Sequence, residues 1–158
     1  MVSPPNLPRP MTSKQAGAFV SLYQKDGALR GCIGTFLPTQ KNIAQEIVKN
    51  AIDAATRDPR FLPVTLKELP TLEISVDILF KLKLVKKNFK AGDPLPRALN
   101  PKKYGLMVTA GDGRKGLLLP DIPSVDSAKK QVKFCFQKAG ISSEEKVTLE
   151  IFEVKRYR

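Results

Sequence analysis

Apolar and polar positions alternate along several short stretches of the chain and recur at helical spacing along two others. Ala18 to Tyr23 (AFVSLY) alternates and is rich in β-branched and aromatic side chains, which predicts a strand. Asp26-Gly27 is a turn signal, and Leu29 to Phe36 (LRGCIGTF) resumes an extended pattern, so the pair predicts a hairpin whose second strand is interrupted by glycines. Ile43 to Thr56 places Ile43, Ala44, Ile47, Val48, Ala51, Ile52, Ala54 and Ala55 at helical spacing. Asn42 fits the N-cap with Gln45 at the capping-box position, and Pro59 requires the helix to have ended before it.

Leu72 to Phe80 alternates again: Leu72, Ile74, Val76 and Ile78 fall on one face, and Glu73, Ser75 and Asp77 on the other. The pattern predicts a half-buried strand. Lys81 to Lys90 is heavily basic and less regular, and Ala91 to Pro101 reads as loop. Tyr104 to Thr109 and Gly116 to Leu119 predict two strands joined by the turn Gly111-Asp112-Gly113. Asp126 to Ala139 predicts a second amphipathic helix with Ala128, Val132, Cys135, Phe136 and Ala139 as its stripe, stopped by Gly140. Val147 to Val154 predicts a last strand. Strands and helices do not alternate strictly, so the expected class is α+β, with a mixed, mainly antiparallel sheet and helices packed on it. Residues 1–15 read as an extended, proline-rich leader and 16–158 as a single domain.

At 158 residues the chain suits one domain with a core of its own. Its two cysteines, Cys32 and Cys135, are too few and too far apart to suggest a disulfide framework; reduced thiols and a cytoplasmic location are expected. No run of apolar residues approaches the ~20 that cross a bilayer, so no membrane association is expected. Histidine is absent, which removes His-assisted Ser or Cys catalysis and His-containing zinc sites, and two cysteines do not complete a four-thiolate zinc site. No metal site is expected, and any acid–base chemistry falls to carboxylates, Lys, Tyr or a thiolate. The net charge of +12 favours anionic ligands or polyanionic partners.

The densest chemistry lies in Leu29-Arg30-Gly31-Cys32-Ile33-Gly34. Two glycines permit close backbone approach, and Arg30 two residues before Cys32 shares its face in a regular strand, where a guanidinium favours a thiolate. Cys32 is a candidate nucleophile, although a cysteine in a strand is more often a small buried apolar residue, and a redox or metal contact is a third role. Asp58-Pro59-Arg60-Phe61 follows the first long helix. An anion at a helix C-terminus is locally unfavourable, so Asp58 needs a partner such as Arg60 or Arg57. The pair is either a structural ion pair or one polar wall of a ligand site. Gly116 to Asp121 (GLLLPD) and Cys135 read as core. The basic run Lys81, Lys83, Lys86, Lys87 and Lys90, with Phe80 and Phe89 at its ends, either tracks a nucleic-acid backbone or protects a strand edge from pairing.

LRGCIG, together with DPRF at Asp58 to Phe61, EISVDIL at Glu73 to Leu79, PKKYGL at Pro101 to Leu106, GLLLPD at Gly116 to Asp121 and KAGI at Lys138 to Ile141, resembles the AMME chromosomal region domain family over roughly residues 16–156. The resemblance is strongest to the prokaryotic branch, whose genes neighbour or fuse with those of a Memo-like protein and a radical S-adenosylmethionine enzyme. It implies an α+β fold with a larger and a smaller portion, a groove near LRGCIG, and Arg30, Gly31, Cys32, Gly34, Asp58 and Arg60 as site positions. It carries positions rather than a reaction, and leaves the cofactor open. Two features depart from the family: the region ahead of AFVSLY is proline-rich where relatives begin with a helix, and the lysine run replaces a Pro- and Glu-containing stretch. A nucleic-acid role for those lysines would therefore belong to this chain alone.

Overall fold

The computed structural model describes residues 7–158 and has an α+β architecture. Three α-helices, α1 (Arg9–Ser13), α2 (Ile43–Thr56) and α3 (Ala128–Ala139), accompany six strands: β1 (Ala18–Tyr23), β2 (Leu29–Thr35), β3 (Glu73–Phe89), β4 (Gly105–Ala110), β5 (Lys115–Leu118) and β6 (Val147–Tyr157). The strand order is β2-β1-β3-β6-β4-β5. β1 is antiparallel to both β2 and β3, and β4 to both β5 and β6. The chain divides into two compact units, one running to Leu79 and taking in Lys155–Arg158, the other Phe80–Val154.

In the first unit the predicted hairpin forms. Gly27 takes φ +83°, a left-handed conformation that β-carbon-bearing residues avoid, and Asp26 Oδ1 accepts the Ala28 N–H at 2.9 Å. α2 begins at Asn42, whose side chain accepts the Gln45 N–H, and packs on β1 and β2 over Val20, Leu22 and Ala54. A β-carbon on Gly31 would stand 2.3 Å from the Ala54 carbonyl oxygen, so this glycine is what lets the α2 backbone close on β2. In the second unit α3 is capped by Ser127 and stopped by Gly140 at φ +60°. Its Cys135 carbonyl oxygen would stand 1.8 Å from a β-carbon on Gly116 of β5, so the same device recurs there. The second unit's core gathers Leu106, Val108, Val132, Cys135, Phe136 and Leu149.

Four expectations change. Of the leader read as extended, residues 1–6 lie outside the described residues, and Arg9–Ser13 is helical, with Pro10 in the first turn, where its missing N–H costs no hydrogen bond. The stretch Lys81 to Lys90 is strand as far as Phe89, since β3 continues through it, and its lower regularity shows as positive φ at Lys81 (+53°) and Asn88 (+54°). β3 is not half-buried as alternation predicts. Leu72 and Val76 do pack on the α2 side, yet Ile74 is 54% exposed, and the polar positions Ser75 (6%) and Asp77 (4%) are buried. Asp77 is held there by Arg156, whose Nε and Nη2 donate to its carboxylate at 2.7 and 3.1 Å. Finally, the inward side of α2 is not purely apolar. Glu46, Asn50 and Asp53, at i, i+4 and i+7, are buried, whereas Ile52 is exposed.

Candidate functional site

LRGCIG is strand β2, and every sequence-predicted residue of the main site lies in the first unit. Cys32 lies on the face of β2 away from α2, since Gly31 and Ile33 meet the helix side, whereas the β1–β2 register slips between Leu22 and Tyr23 and leaves Arg30 as the unpaired residue of a bulge, outside the regular alternation. Cys32 is half-buried and lies directly across from Ser21 of β1, which lies across from Ser75 of β3. Ser21 Oγ donates to Cys32 Sγ at 3.3 Å, so the thiol sits at the end of a small polar row rather than in an apolar core. Beside it, Gly34 opposes Phe19, whose ring occupies the space a β-carbon on Gly34 would need.

Asp58 and Arg60 act together on the backbone of Cys32. The Cys32 N–H donates to Asp58 Oδ2 at 2.8 Å, and the Cys32 carbonyl accepts from Arg60 Nη2 at 3.3 Å. Arg60 closes the unit on Asp58 by three bonds: its backbone N–H and Nε donate to Oδ1 at 3.1 and 2.9 Å, and Nη2 to Oδ2 at 2.7 Å. One carboxylate and one guanidinium thus take the place of a neighbouring strand at this point of β2, which ends the sheet. The Arg60 hydrogen bonds hold the Asp58 carboxyl well below the usual carboxylate range; burial opposes them, and the Cys32 and Arg60 backbone donors add to them. Asp58 is almost wholly buried and Arg60 is 55% exposed. Arg57 turns away and pairs with Asp53 at 3.0 Å, so of the two partners foreseen for Asp58 it is Arg60 that serves.

Arg30 is committed within the unit. Its Nε donates to Glu68 Oε1 at 2.7 Å, Nη1 to the Leu62 carbonyl at 3.0 Å and Nη2 to the Pro63 carbonyl at 3.4 Å. The hydrogen bond from Arg30, followed by the N–H and hydroxyl of Thr65, brings the Glu68 carboxyl down to about 2. The Phe61 ring lies 6.0 Å from the Arg30 guanidinium and 5.4 Å from that of Arg60, within cation–π range of both. Arg30 therefore already holds an anion, and an incoming one competes with Glu68, whereas Arg60 leaves over half of its side chain to solvent.

The remaining candidates separate from this cluster. Cys135 is fully buried in the second unit, its Sγ donating to the Leu106 carbonyl at 3.5 Å, and burial pushes its thiol up to about 12. Lys81, Lys83, Lys86 and Lys87 are exposed along β3, beyond Ile78 where pairing with β1 ends, and Lys90 is half-buried. Lys81 reaches Glu153 at 3.3 Å. Sequence reasoning missed Ser21, Ser75, Glu68 and Glu46. Glu46 is buried with hydrogen bonds from the Thr35 hydroxyl, the Thr39 N–H and hydroxyl and the Gln40 N–H, which outweigh burial and lower its pKa. Among the described residues no cluster of His, Cys, Asp and Glu is arranged to hold a metal, and no helix is long and apolar enough to cross a membrane.

Comparison with known proteins gives one consistent picture. The AMMECR1 family model matches residues 2–157. A protein of Thermotoga maritima is 46% identical over 154 residues, covering 97% of this chain and 83% of that one. Protein CA_C1420 of Clostridium acetobutylicum is 43% identical over 94% of this chain, but the match spans 29% of its length. The crystal structure of the uncharacterized protein PH0010 from Pyrococcus horikoshii superposes with a TM-score of 0.83 at 29% identity, over 98% of this chain and 79% of that one.

Proposed function

The chain belongs to the AMMECR1 family, and from that premise we propose that it is the thiol-bearing component of a protein-modification system, acting in the cytoplasm with a Memo-like protein and a radical S-adenosylmethionine enzyme. Residues 16–158 are the working domain. Cys32 makes the contact with substrate or partner. Asp58 and Arg60 fix its backbone, Arg60 meets the anionic group of what binds, and Arg30 secures the neighbouring loop through Leu62, Pro63 and Glu68. Gly31 and Gly34 provide the close packing that puts the thiol there.

The observation that supports this reading is the treatment of Cys32: half-exposed, hydrogen-bonded at sulfur by Ser21, and clamped at both N–H and C=O by one ion pair. A cysteine serving only as core filler needs none of this, and Cys135 has no such clamp. The partnership with other proteins rests on the resemblance, and on the Clostridium relative, in which the matched region is less than a third of a longer chain. The test is alkylation by iodoacetamide at neutral pH in a Cys135→Ser protein. Modification of Cys32 in the folded state, slowed by added anions that occupy Arg60, is the expected result. Protection that lasts until global unfolding, or full function of Cys32→Ala in the host, rejects the reading.

A second reading draws on the exposed Lys83, Lys86 and Lys87, which among the described residues carry no ion pair, with Phe80, Leu82 and Leu84 exposed between and beside them. If this face binds nucleic acid, log K falls by about 0.7–0.9 per phosphate contact for each decade of salt. Absence of binding to labelled single-stranded RNA or DNA at low salt removes this reading.

A further inference from the structure

The second unit contains a cavity of about 560 Å³ that shares no residue with the Cys32 site. It opens between the 91–95 segment, one face of α3 and residues 141–143. Its apolar wall is Leu95, Val132, Phe136 and Ile141; Leu95 is 38% exposed there, although it is a large aliphatic side chain in a well-packed unit. Lys129 and Lys133 stand on the same helical face, one turn apart, and line the same cavity. Their treatment differs from that of their neighbour: Lys130 is paired with Asp126 at 2.7 Å, while Lys129 and Lys133 have no acidic partner among the described residues. Asp93 also lines the cavity, and its Oδ2 accepts the Lys90 N–H at 2.9 Å.

We propose that this cavity binds a small amphipathic carboxylate, with its hydrocarbon body against Leu95, Val132, Phe136 and Ile141 and its carboxylate between Lys129 and Lys133. The volume lies within the range of small-molecule sites, which are mostly apolar with a few polar groups to set orientation. Two ammonium groups and one carboxylate leave the site with a single net positive charge, which matches a monoanion. No arginine, whose fork is a usual device for a phosphate dianion, lines it. An apolar body without charge would leave the two lysines unmatched, and an anion without an apolar body would leave Leu95 in water.

The test is a titration of the full-length chain with decanoate and with decan-1-ol, followed by two-dimensional amide NMR. Decanoate should produce saturable shifts confined to the 91–95, 129–137 and 141–143 segments, and should bind about tenfold more tightly than the alcohol, the size of effect two partly solvated charge pairs provide. The double variant Lys129→Gln/Lys133→Gln should remove that difference while keeping the alcohol's affinity, and Leu95→Ala should weaken both ligands. All three substituted residues are exposed, so the folded spectrum is retained. Lys83→Gln/Lys86→Gln/Lys87→Gln, which lowers the overall charge elsewhere, should leave decanoate binding unchanged. Equal binding of acid and alcohol, absence of saturation, loss of decanoate affinity in the β3 variant, or shifts centred on β2 would each overturn the proposal. Apart from shifts centred on β2, which would place the anion beside Cys32, these outcomes leave the reactivity of Cys32 untouched.

Discussion

The Asp58–Arg60 clamp gives the sharpest prediction, because its two halves are buried so unequally. Asp58 keeps only 2% of its side-chain surface in water and Arg60 55%. Asp58→Asn lets the guanidinium return to solvent, keeps one acceptor oxygen for the Cys32 N–H, and turns an amide N–H₂ toward some of the Arg60 donors. One poorly matched donor costs about 1 kcal/mol. Arg60→Gln is the worse change although the residue is the more exposed, because it strands a buried carboxylate with only the two backbone donors of Cys32 and Arg60. Removing one partner of a buried pair costs ~3–5 kcal/mol. Solvent access on the Arg60 side and the surviving donors reduce this to about 2 kcal/mol, still larger than the Asn change. The pH dependence separates the two further. In the native protein the Asp58 carboxyl is depressed, so its contribution is complete above the unfolded value of ~3.9 and is lost as pH falls through the folded value. Without Arg60 its largest lowering influence is gone while burial remains, so the folded value rises, and the stability gap between Arg60→Gln and wild type should begin to close above pH ~4. Urea unfolding across pH gives the global reading, and amide exchange at Cys32 gives the local one, with faster exchange in both variants. An Arg60→Gln protein that is the more stable of the two at pH 7, with a gap constant down to pH ~4, would refute the account of the clamp.

Three further outcomes follow from the same geometry. Gly31→Ala and Gly116→Ala should each cost about 1–3 kcal/mol by forcing a helix backbone away from its strand, while Gly92→Ala, with open space at its β-carbon, should be neutral; thermal melts decide it. With Cys32 replaced by Ala, Cys135 should react with iodoacetamide only at the rate of unfolding, because its thiol is buried and pushed up to about 12; rapid reaction in native buffer would contradict its placement. Because Arg30 and Thr65 bring the Glu68 carboxyl down to about 2, the Arg30–Glu68 pair should persist as pH falls and fail only as pH passes through that value. Pepsin at pH ~3.5 should then spare the exposed Leu62 and Leu66 in wild type and cut there in Glu68→Gln.

Periodicity was a good guide wherever one face of an element meets a core and the other meets water. α2, the β1–β2 hairpin and the Gly140 stop of α3 all fall where the pattern puts them. It misled wherever polar residues are buried with dedicated partners. On β3 the alternating polar positions looked like a solvent face, but Ser75 lies across from Ser21, and Asp77 is paired with an arginine 79 residues later, a relation no local window contains. On α2, Glu46 is buried because the 35–40 segment supplies it with two hydroxyls and two N–H groups, so its burial is a property of that segment as much as of the helix. The site was legible as a set of residue types but not as an arrangement. The shared face of Arg30 and Cys32 presumes a regular strand, but the register slips at Arg30; the cation that reaches the Cys32 backbone is Arg60, and Arg30 is turned to Glu68.

The two units together show which part of LRGCIG calls for a function. In the first, a strand glycine (Gly31) admits the backbone of α2, and a second (Gly34) lies under the ring of Phe19 on the adjoining strand. In the second, Gly116 admits the backbone of α3, and Gly105 lies under the ring of Phe152 on its own neighbour. The same two packing devices thus occur twice with different surroundings, which accounts for the glycines by close approach alone. What the first unit has and the second lacks is the rest: a half-exposed thiol with a hydroxyl at its sulfur, and a carboxylate–guanidinium pair bonded to both backbone groups of one strand residue. The cysteine of the second unit, on the helix that its glycine admits, is sealed in the core and unclamped. Packing explains Gly31 and Gly34 and leaves Cys32, Asp58 and Arg60 unexplained, so substitutions at the glycines should register as lost stability, and substitutions at the other three should register at Cys32 itself.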